Sequence, residues 1–494
     1  MTNLKKESHK SLYEISSFLN LTNLENSQTT VRGISSSSAT VKAGDLFVAI
    51  AGEKSHGAKF IEEAINSGAV AALTDTEGAK LINNLIPTLV INDPRRILGE
   101  LSAWFYGYPG NSLELYGVTG TNGKTTVSYL LNQIWNLEGR NTGIIGTLGV
   151  EISKAKSTSN FTTPEADQLQ EIFANAREKS VRNLVMEVSS IAIEMHRVKG
   201  LKFRCVAFTN MTQDHLDFHG TMDNYKKAKF KLFTLEYSDC AIINIDDPAG
   251  LELFNLGGIP MESVSRRNRK ANWFYEHIAE DGLNTAISLR GSNGILIETK
   301  TSLIGSHNLD NLLLAIAMAI QSGVDPLTIA QIVPLLQGAP GRLEQVVNTK
   351  NIRAIVDYAH TPDAVIRVLE SVKSAERRII GVLGCGGDRD KSKRPLMGRA
   401  LVAGTDIAIF TSDNPRNEDP ELILDEMIGE IEINERNLRI ADRREAIATA
   451  VTLIEPGDCL IVLGKGHELG QQVGTTYLPF DDREEVLIAI EKLS

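Results

Sequence analysis

The residues with the plainest chemical purpose are Gly117-Val-Thr-Gly-Thr-Asn-Gly-Lys-Thr-Thr126, a glycine-rich run between a predicted strand and the predicted helix VSYLLNQIW. Successive backbone N–H groups in such a loop form an anion nest at a helix N-terminus, which is how backbone holds phosphate. Lys124 would reach the β- and γ-phosphates of ATP, and the Thr125 hydroxyl would hold Mg2+. The common GxxxxGK[ST] pattern asks for glycine at position 118, where this chain has valine. That departure speaks against a motor or GTPase loop and keeps the phosphate-binding tail. A turn that binds nothing is the bland alternative, and the strand, Lys-Thr pair and helix in register weigh against it.

Two further runs begin at predicted strand ends. Val185-Met-Glu-Val-Ser-Ser190 presents the carboxylate of Glu187, which with Thr125 suits a hard cation beside ATP. Thr209-Asn-Met-Thr-Gln-Asp-His-Leu-Asp-Phe-His-Gly220 is followed by Tyr225-Lys-Lys-Ala-Lys-Phe-Lys231. By spacing alone Lys226, Lys227, Lys229 and Lys231 are a solvated helix face, and His215 and His219 read as structural histidines. Three more runs carry polar chemistry after predicted strands: Gly384-Cys-Gly-Gly-Asp-Arg-Asp-Lys391, Ser412-Asp-Asn-Pro-Arg416 and Gly464-Lys-Gly-His-Glu468. In open parallel sheets ligands sit beyond the carboxyl ends of the strands, so these three are expected to meet at one sheet edge.

The elements that position these residues alternate strand and helix, the mark of an α/β protein with mostly parallel sheets. A length of 494 residues suggests about three domains, and the boundaries are placed at 1–108, 109–341 and 342–494. The first contains the strand pattern Asp45–Ile50 and the helix-like FIEEAINSGAVAAL, and ends at the Gly/Pro cluster Tyr106–Gly110. The second begins with strand 113–118 and includes strands 183–187 and 240–244. The third repeats strand and helix through IRAIVDYA, AVIRVLESVKSA, RIIGVLG, DIAIFTS and CLIVLGKG.

Composition narrows the function classes. Hydrophobic residues at 42% and charged residues at 23% are ordinary for a globular chain. A net charge of −11 disfavours nucleic acid as the main partner. Cys205, Cys240, Cys385 and Cys459 are scattered without zinc spacing and read as inert thiols in a reducing compartment. Neither a signal-peptide pattern nor a membrane-length apolar run is present, so a cytoplasmic, membrane-free and monomeric enzyme is expected.

Taken together, GTNGKTT, the Glu187-Val-Ser-Ser190 box, NMTQDHLDFHG and AKFKLF resemble the Mur ligase family of peptidoglycan synthesis. The resemblance continues through Gly305-Ser-His-Asn-Leu-Asp-Asn311, Pro340-Gly-Arg-Leu-Glu344 and Val356-Asp-Tyr-Ala-His-Thr-Pro-Asp363, covering nearly the whole chain. It implies a small α/β UDP-binding domain, a central P-loop ATPase-like domain with a mostly parallel sheet, and a C-terminal Rossmann-like domain. It implies an ATP-dependent ligase that activates a peptide carboxylate as an acyl phosphate and opens it with an amine.

By the same resemblance Gly120, Thr121, Asn122, Gly123, Lys124, Thr125 and Thr126 bind ATP, and Lys229 carries a CO2-derived carbamate. Thr125 and Glu187 serve one Mg2+, and His215 and the Lys229 carbamate a second. Asn308 and Asn311 face adenine, with a helix N-terminal cap as the bland alternative, while Arg342 and Asp357 contact ATP from the third domain. Thr162, Thr163, Ser189 and Arg197 match positions that hold a UDP-N-acetylmuramoyl-dipeptide.

Arg389, Asp413, Asn414, Arg416, Gly464 and Glu468 resemble the amino-acid pocket of the diaminopimelate-adding branch of the family. There a guanidinium binds the carboxylate that lysine lacks. Ligases adding L-lysine or another diamino acid, and folylpolyglutamate synthetase, are the competing readings. A binding module without chemistry would not need two metal sites. The chain departs from the family pattern at Ser37-Ser38-Ala39, Ser55-His-Gly57, Ile191 and Met195. Only Ser38 and the loop Glu53-Lys54-Ser55 carry over as uridine-side contacts.

Overall fold

Short apolar runs closed by glycine or polar turns become buried parallel strands, and the stretches between them become helices. The computed structural model describes residues 9–21, 29–52, 55–159, 161–281, 284–373 and 378–493. Two compact units divide the chain: Met1–Glu276 with Leu289–Ile297 and Leu313–Ile332, and His277–Ser288 with Glu298–Leu312 and Val333–Ser494.

The first unit opens with a parallel sheet ordered Gly33–Ser35, Asp45–Ala49, Ala71–Thr74, Thr88–Val90. FIEEAINSGAVAAL does not remain helical. Its helix covers Ile61–Asn66 only, Gly68 turns the chain at φ +105°, and Ala71–Thr74 is a strand. All four strand residues are buried, and an apolar run of that length looks the same in a buried helix and a buried strand.

The central sheet places strand Glu114–Thr119 between Asn183–Glu187 and Cys205–Phe208, all parallel. Thr142–Gly146 extends it on one side, and Ala241–Asn244 and Met261–Ser265 on the other, again parallel. The phosphate loop, Glu187 and Thr209 therefore leave the carboxyl ends of three adjacent strands. Helix Ala166–Glu178 packs Leu169 and Phe173 against Ile145, Leu184 and Met186 in the core below them. Asp167 of that helix accepts from the Ser36 N–H at 2.8 Å and its hydroxyl at 3.0 Å, just after strand Gly33–Ser35.

The second unit holds a sheet ordered Glu344–Gln345, Arg353–Asp357, Cys459–Leu463, Ile379–Cys385, Ile407–Ser412, Asn437–Arg439. Only the first pair is antiparallel. One face packs Ile355, Leu383, Phe410 and Ile461 against Leu369, Leu401 and Met427. The other packs Val356, Val382, Ile409 and Val462 against Ile447, Val451 and Val486. Burial on both faces explains why these strands read as near-continuous apolar runs. Among the described residues no helix is long and apolar enough to cross a membrane.

Candidate active site

Helix Lys124–Leu137 starts at Gly123, whose φ of 86° is left-handed and which offers no side chain to its first N–H groups. The helix mouth is thus left to an external acceptor, as an anion site needs. The loop before it is braced from the neighbouring strand end. Thr121 N donates to Asn210 O at 2.8 Å, Asn122 N to Asn210 Oδ1 at 2.9 Å, and Thr209 Oγ1 to Asn122 O at 2.6 Å. Gly120 must be glycine here, because a Cβ would lie 1.9 Å from Thr209 Oγ1. Lys124 Nζ folds back onto the Gly120 and Thr121 carbonyls at 3.0 and 2.8 Å. Thr126 is buried in the first turn.

Glu187 ends its strand 1% exposed. Its Oε2 accepts from Thr125 Oγ1 at 3.0 Å and Thr147 Oγ1 at 3.2 Å, and its Oε1 from Thr147 N at 2.8 Å. The predicted hydroxyl–carboxylate pair is therefore in direct contact. Thr147 was not among the residues singled out from the sequence; its hydroxyl also meets that of Thr162 at 3.1 Å.

The lysine run separates by environment. Lys226 and Lys231 are paired with Glu252 and Glu194, and Lys227 with Asp223. Lys229 alone is buried, 1% exposed, with Nζ donating to Gly120 O at 2.8 Å and lying 4.6 Å from the Tyr225 ring centroid. Burial, then the charge of Lys124, holds its amine well below the usual lysine range, against an opposing pull from Asp214. The histidines also separate. His219 is buried on Ser190 Oγ at 2.9 Å and burial depresses its pKa, whereas His215 is exposed at a left-handed backbone position 3.4 Å from Asp214.

Around Glu187, Thr163 Oγ1 donates to the Glu187 carbonyl at 2.9 Å and accepts from Ser189 N at 3.1 Å. Ser189 caps helix Ser190–Glu194 through Ala192 N. Arg197 donates to Thr163 O at 3.0 Å, pairs with Glu165 at 2.6 Å and stacks on Phe161, while its buried Nε has no partner. These residues form one cluster at the sheet edge. Ser38 lies apart from it, donating to Glu63 at 3.1 Å. The Ser55 carbonyl accepts from Gly52 N at 3.1 Å, and Glu53 and Lys54 lie outside the described residues.

In the second unit Asn308 and Asn311 are buried within helix Ser306–Gln321 and bonded to each other at 3.2 Å, so neither is an N-cap. Arg342 lies over the Tyr358 ring. Asp357 is buried and accepts from Leu343 N at 2.7 Å and Ala359 N at 2.8 Å; burial raises its pKa, opposed by Arg342.

The three polar loops of this unit do meet. Asn414 Nδ2 donates to Glu468 Oε2 at 2.7 Å, and its Oδ1 accepts from Lys465 Nζ at 3.0 Å and Gln472 N at 2.9 Å. Lys465, wholly buried, also reaches Glu468 at 3.2 Å. Asp413 Oδ1 is buried without a hydrogen bond, with Lys465 Nζ at 3.5 Å. Gly464 N donates to Asp357 O at 3.1 Å. Arg416 Nη1 donates to Gly387 O at 2.7 Å. Arg416 and the exposed Arg389 flank Gly386, where an added Cβ would lie 2.9 Å from Arg416 Nη1 and 3.9 Å from Arg389 Cγ.

Known proteins share this arrangement. Residues 30–106 match the Mur ligase family catalytic domain, 118–319 the Mur ligase middle domain, and 341–466 the Mur ligase glutamate ligase domain. A Streptomyces coelicolor protein named UDP-N-acetylmuramoyl-L-alanyl-D-glutamate--2,6-diaminopimelate ligase is 40% identical, over 94% of this chain and 93% of its own. A protein of that name from Syntrophomonas wolfei subsp. wolfei is 42% identical over 92% and 93%. The chain belongs to the Mur ligase family. A solved structure titled as the diaminopimelate ligase superposes with a TM-score of 0.70 at 32% identity, covering 98% of this chain and 99% of that one.

This Mur ligase is an ATP-dependent ligase. Several residues of its site carry no mark in the sequence. Lys465 sits inside a quoted motif, and only its burial shows that it fixes the Asn414 amide. Thr147 lies within the unremarkable Gly146-Thr-Leu-Gly149 turn. Arg443 and Asp482, the first residues of two helices, form a fully buried ion pair at 2.7 Å.

Proposed function

We propose that this Mur ligase joins meso-diaminopimelate to UDP-N-acetylmuramoyl-L-alanyl-D-glutamate in cytoplasmic peptidoglycan precursor synthesis. The observation that carries the choice of amino acid is the polarity of the second-unit pocket. Arg416 Nη1 and Arg389 Cγ both lie near Gly386, while Asp413 and Glu468 supply carboxylate oxygens, Asp413 Oδ1 being buried 3.5 Å from Lys465 Nζ. The far end of diaminopimelate carries both an ammonium and a carboxylate, and the pocket offers a partner for each. The names of the 40%-identical relatives support the same reading. A lysine side chain would bring no carboxylate to Arg416.

In the proposed reaction the D-glutamyl side-chain carboxylate attacks the γ-phosphorus of ATP, and ADP leaves with the bonding electron pair. The amine of the incoming amino acid then attacks the acyl phosphate carbonyl, loses a proton and expels phosphate. Lys124 and the first-turn N–H groups of helix Lys124–Leu137 hold the phosphates. Thr163 and Arg197 orient the muramoyl peptide, with Thr162 and Ser189 beside them. Ser38, Glu53, Lys54 and Ser55 are proposed on the uridine side, and Asn308, Asn311, Arg342 and Asp357 toward the nucleotide.

The donor set fits Mg2+, since Thr125 and Glu187 already present oxygens to each other at 3.0 Å. No group of three or more His, Cys, Asp or Glu side chains placed to hold a metal occurs among the described residues. Bound there, Mg2+ neutralises charge on the transferring phosphoryl group. Lys229, a buried amine whose pKa is held well below the usual lysine range, fits attack of its lone pair on CO2, which forms an N–C bond, releases an N–H proton and yields an anionic oxygen ligand. His215, at the loop surface, is the proposed companion.

Phosphate release should require both the muramoyl dipeptide and the diamino acid. With 18O in the dipeptide carboxylate, one label should appear in inorganic phosphate. Phosphate free of label would exclude the acyl phosphate.

A further inference from the structure

Ser412 and Leu463 are the last residues of strands Ile407–Ser412 and Cys459–Leu463, and each hands the chain to a loop of the amino-acid pocket. The strands are not neighbours, because Ile379–Cys385 lies between them. No ladder hydrogen bond therefore fixes one loop against the other. Arg443, the first residue of helix Arg443–Thr452, bridges them. Its Nη1 donates to Ser412 O at 3.2 Å and its Nη2 to Leu463 O at 3.0 Å. Its Nε and Nη2 also donate to the two oxygens of Asp482, each at 2.7 Å.

Arg443 is 1% exposed and Asp482 0%, so this fork works away from water. Only a planar guanidinium can serve two carbonyls and a carboxylate together; a lysine ammonium lacks the fork. The loops so joined must be in register for Asn414 to reach Glu468 at 2.7 Å and for Lys465 to reach Asn414 at 3.0 Å. We infer that Arg443, held by Asp482, is a positioning residue for the amino-acid pocket: it sets the spacing between the Asp413-Asn414 loop and the Lys465–Glu468 loop. The inference rests on the reading of that pocket as the site of the diamino acid.

Two variants test it by steady-state kinetics with the best diamino acid of the parent enzyme. Arg443→Met/Asp482→Leu replaces the buried ion pair with apolar neighbours, an exchange that buried sites tolerate. Arg443→Lys keeps a cation opposite Asp482 and loses the fork. Both should raise KM for the diamino acid about tenfold or more while KM for ATP stays within about twofold, the signature of lost amino-acid binding. The lysine variant should fail to restore the parent KM, which a merely charge-balancing role would allow. If the double variant does not fold, the lysine variant decides alone. An unchanged amino-acid KM in a folded variant, or an equal rise in KM for ATP, overturns the inference. A parent that turns over no diamino acid would overturn the reading of the pocket itself, and the inference with it.

Discussion

Lys124 and Lys229 share one acceptor: the carbonyl oxygen of Gly120 lies 3.0 Å from the first Nζ and 2.8 Å from the second. Two ammonium groups converging on one buried carbonyl would repel strongly at low local dielectric. Lys229 is the one sealed from water, and burial, then the charge of Lys124, holds its amine well below the usual lysine range. The arrangement favours the neutral form at the buried lysine of the two.

Replacing Lys229 should therefore remove chemistry and leave the fold. Lys229→Ala is expected to lower kcat by at least about 100-fold, the scale for loss of one preorganised electrostatic group. Short-chain carboxylates should restore part of it by supplying the missing oxygens. Circular dichroism with turnover assays in rising acetate checks both. Near-parental turnover without additive would show that no carbamate is needed.

Gly146 packs closely against Glu187. A Cβ there would lie 2.2 Å from Glu187 Oε1, and the strand end on the other side is backbone-paired. Gly146→Ala should push the carboxylate off Thr125 and raise KM for Mg-ATP or lower kcat about tenfold or more, as small misplacements at reacting groups do. Parental kinetics in that variant would mean that Glu187 has room to move without consequence.

The contact of Asp167 with Ser36 is expected to respond to acid. Burial raises the Asp167 pKa from 3.8 to about 6, against the lowering effect of the Ser36 N–H and hydroxyl bonds, with Glu165 adding to the rise. Between those values the folded state holds more protons than the unfolded chain, so this group stabilises the fold below pH 3.8 and that contribution fades as pH rises through about 6. The swing is on the order of 2–3 kcal/mol. Asp167→Asn should remove this falling component, seen as denaturation midpoints that rise more between pH 4 and 7 than those of the parent. Parallel parent and variant profiles would show that the carboxyl titrates normally.

Much of the site was legible because its chemistry sits in contiguous motifs. The phosphate loop, Glu187 and the three second-unit runs each follow a strand, and parallel sheets bring strand ends together. What spacing left open was decided by burial. Lys229 differs from Lys226 and Lys227 in which side of its helix faces Gly120, while His219 ends a short helix buried on Ser190 and His215 precedes that helix at an exposed left-handed position. The misread stretch at 60–73 failed because a four-residue apolar strand has no period of its own. Arg443 and Asp482 were invisible since they are 39 residues apart and pair only in three dimensions.

Arg416 should be selective in its effect. Removing one partner of a charge-assisted pair costs on the order of 2–5 kcal/mol, so Arg416→Ala should raise KM for diaminopimelate by well over about tenfold. Binding of ATP and of the muramoyl dipeptide should change little. Equal weakening of every diamino acid would make the arginine structural.

The most direct measurement is kcat/KM of the parent enzyme for meso-diaminopimelate, L-lysine and L-ornithine, with UDP-N-acetylmuramoyl-L-alanyl-D-glutamate and ATP saturating. Diaminopimelate is expected to exceed the other two by about 100-fold or more, as a site built to bind a substrate's polar group discriminates against substrates lacking it. Equal or better use of lysine or ornithine would contradict the assignment of the pocket.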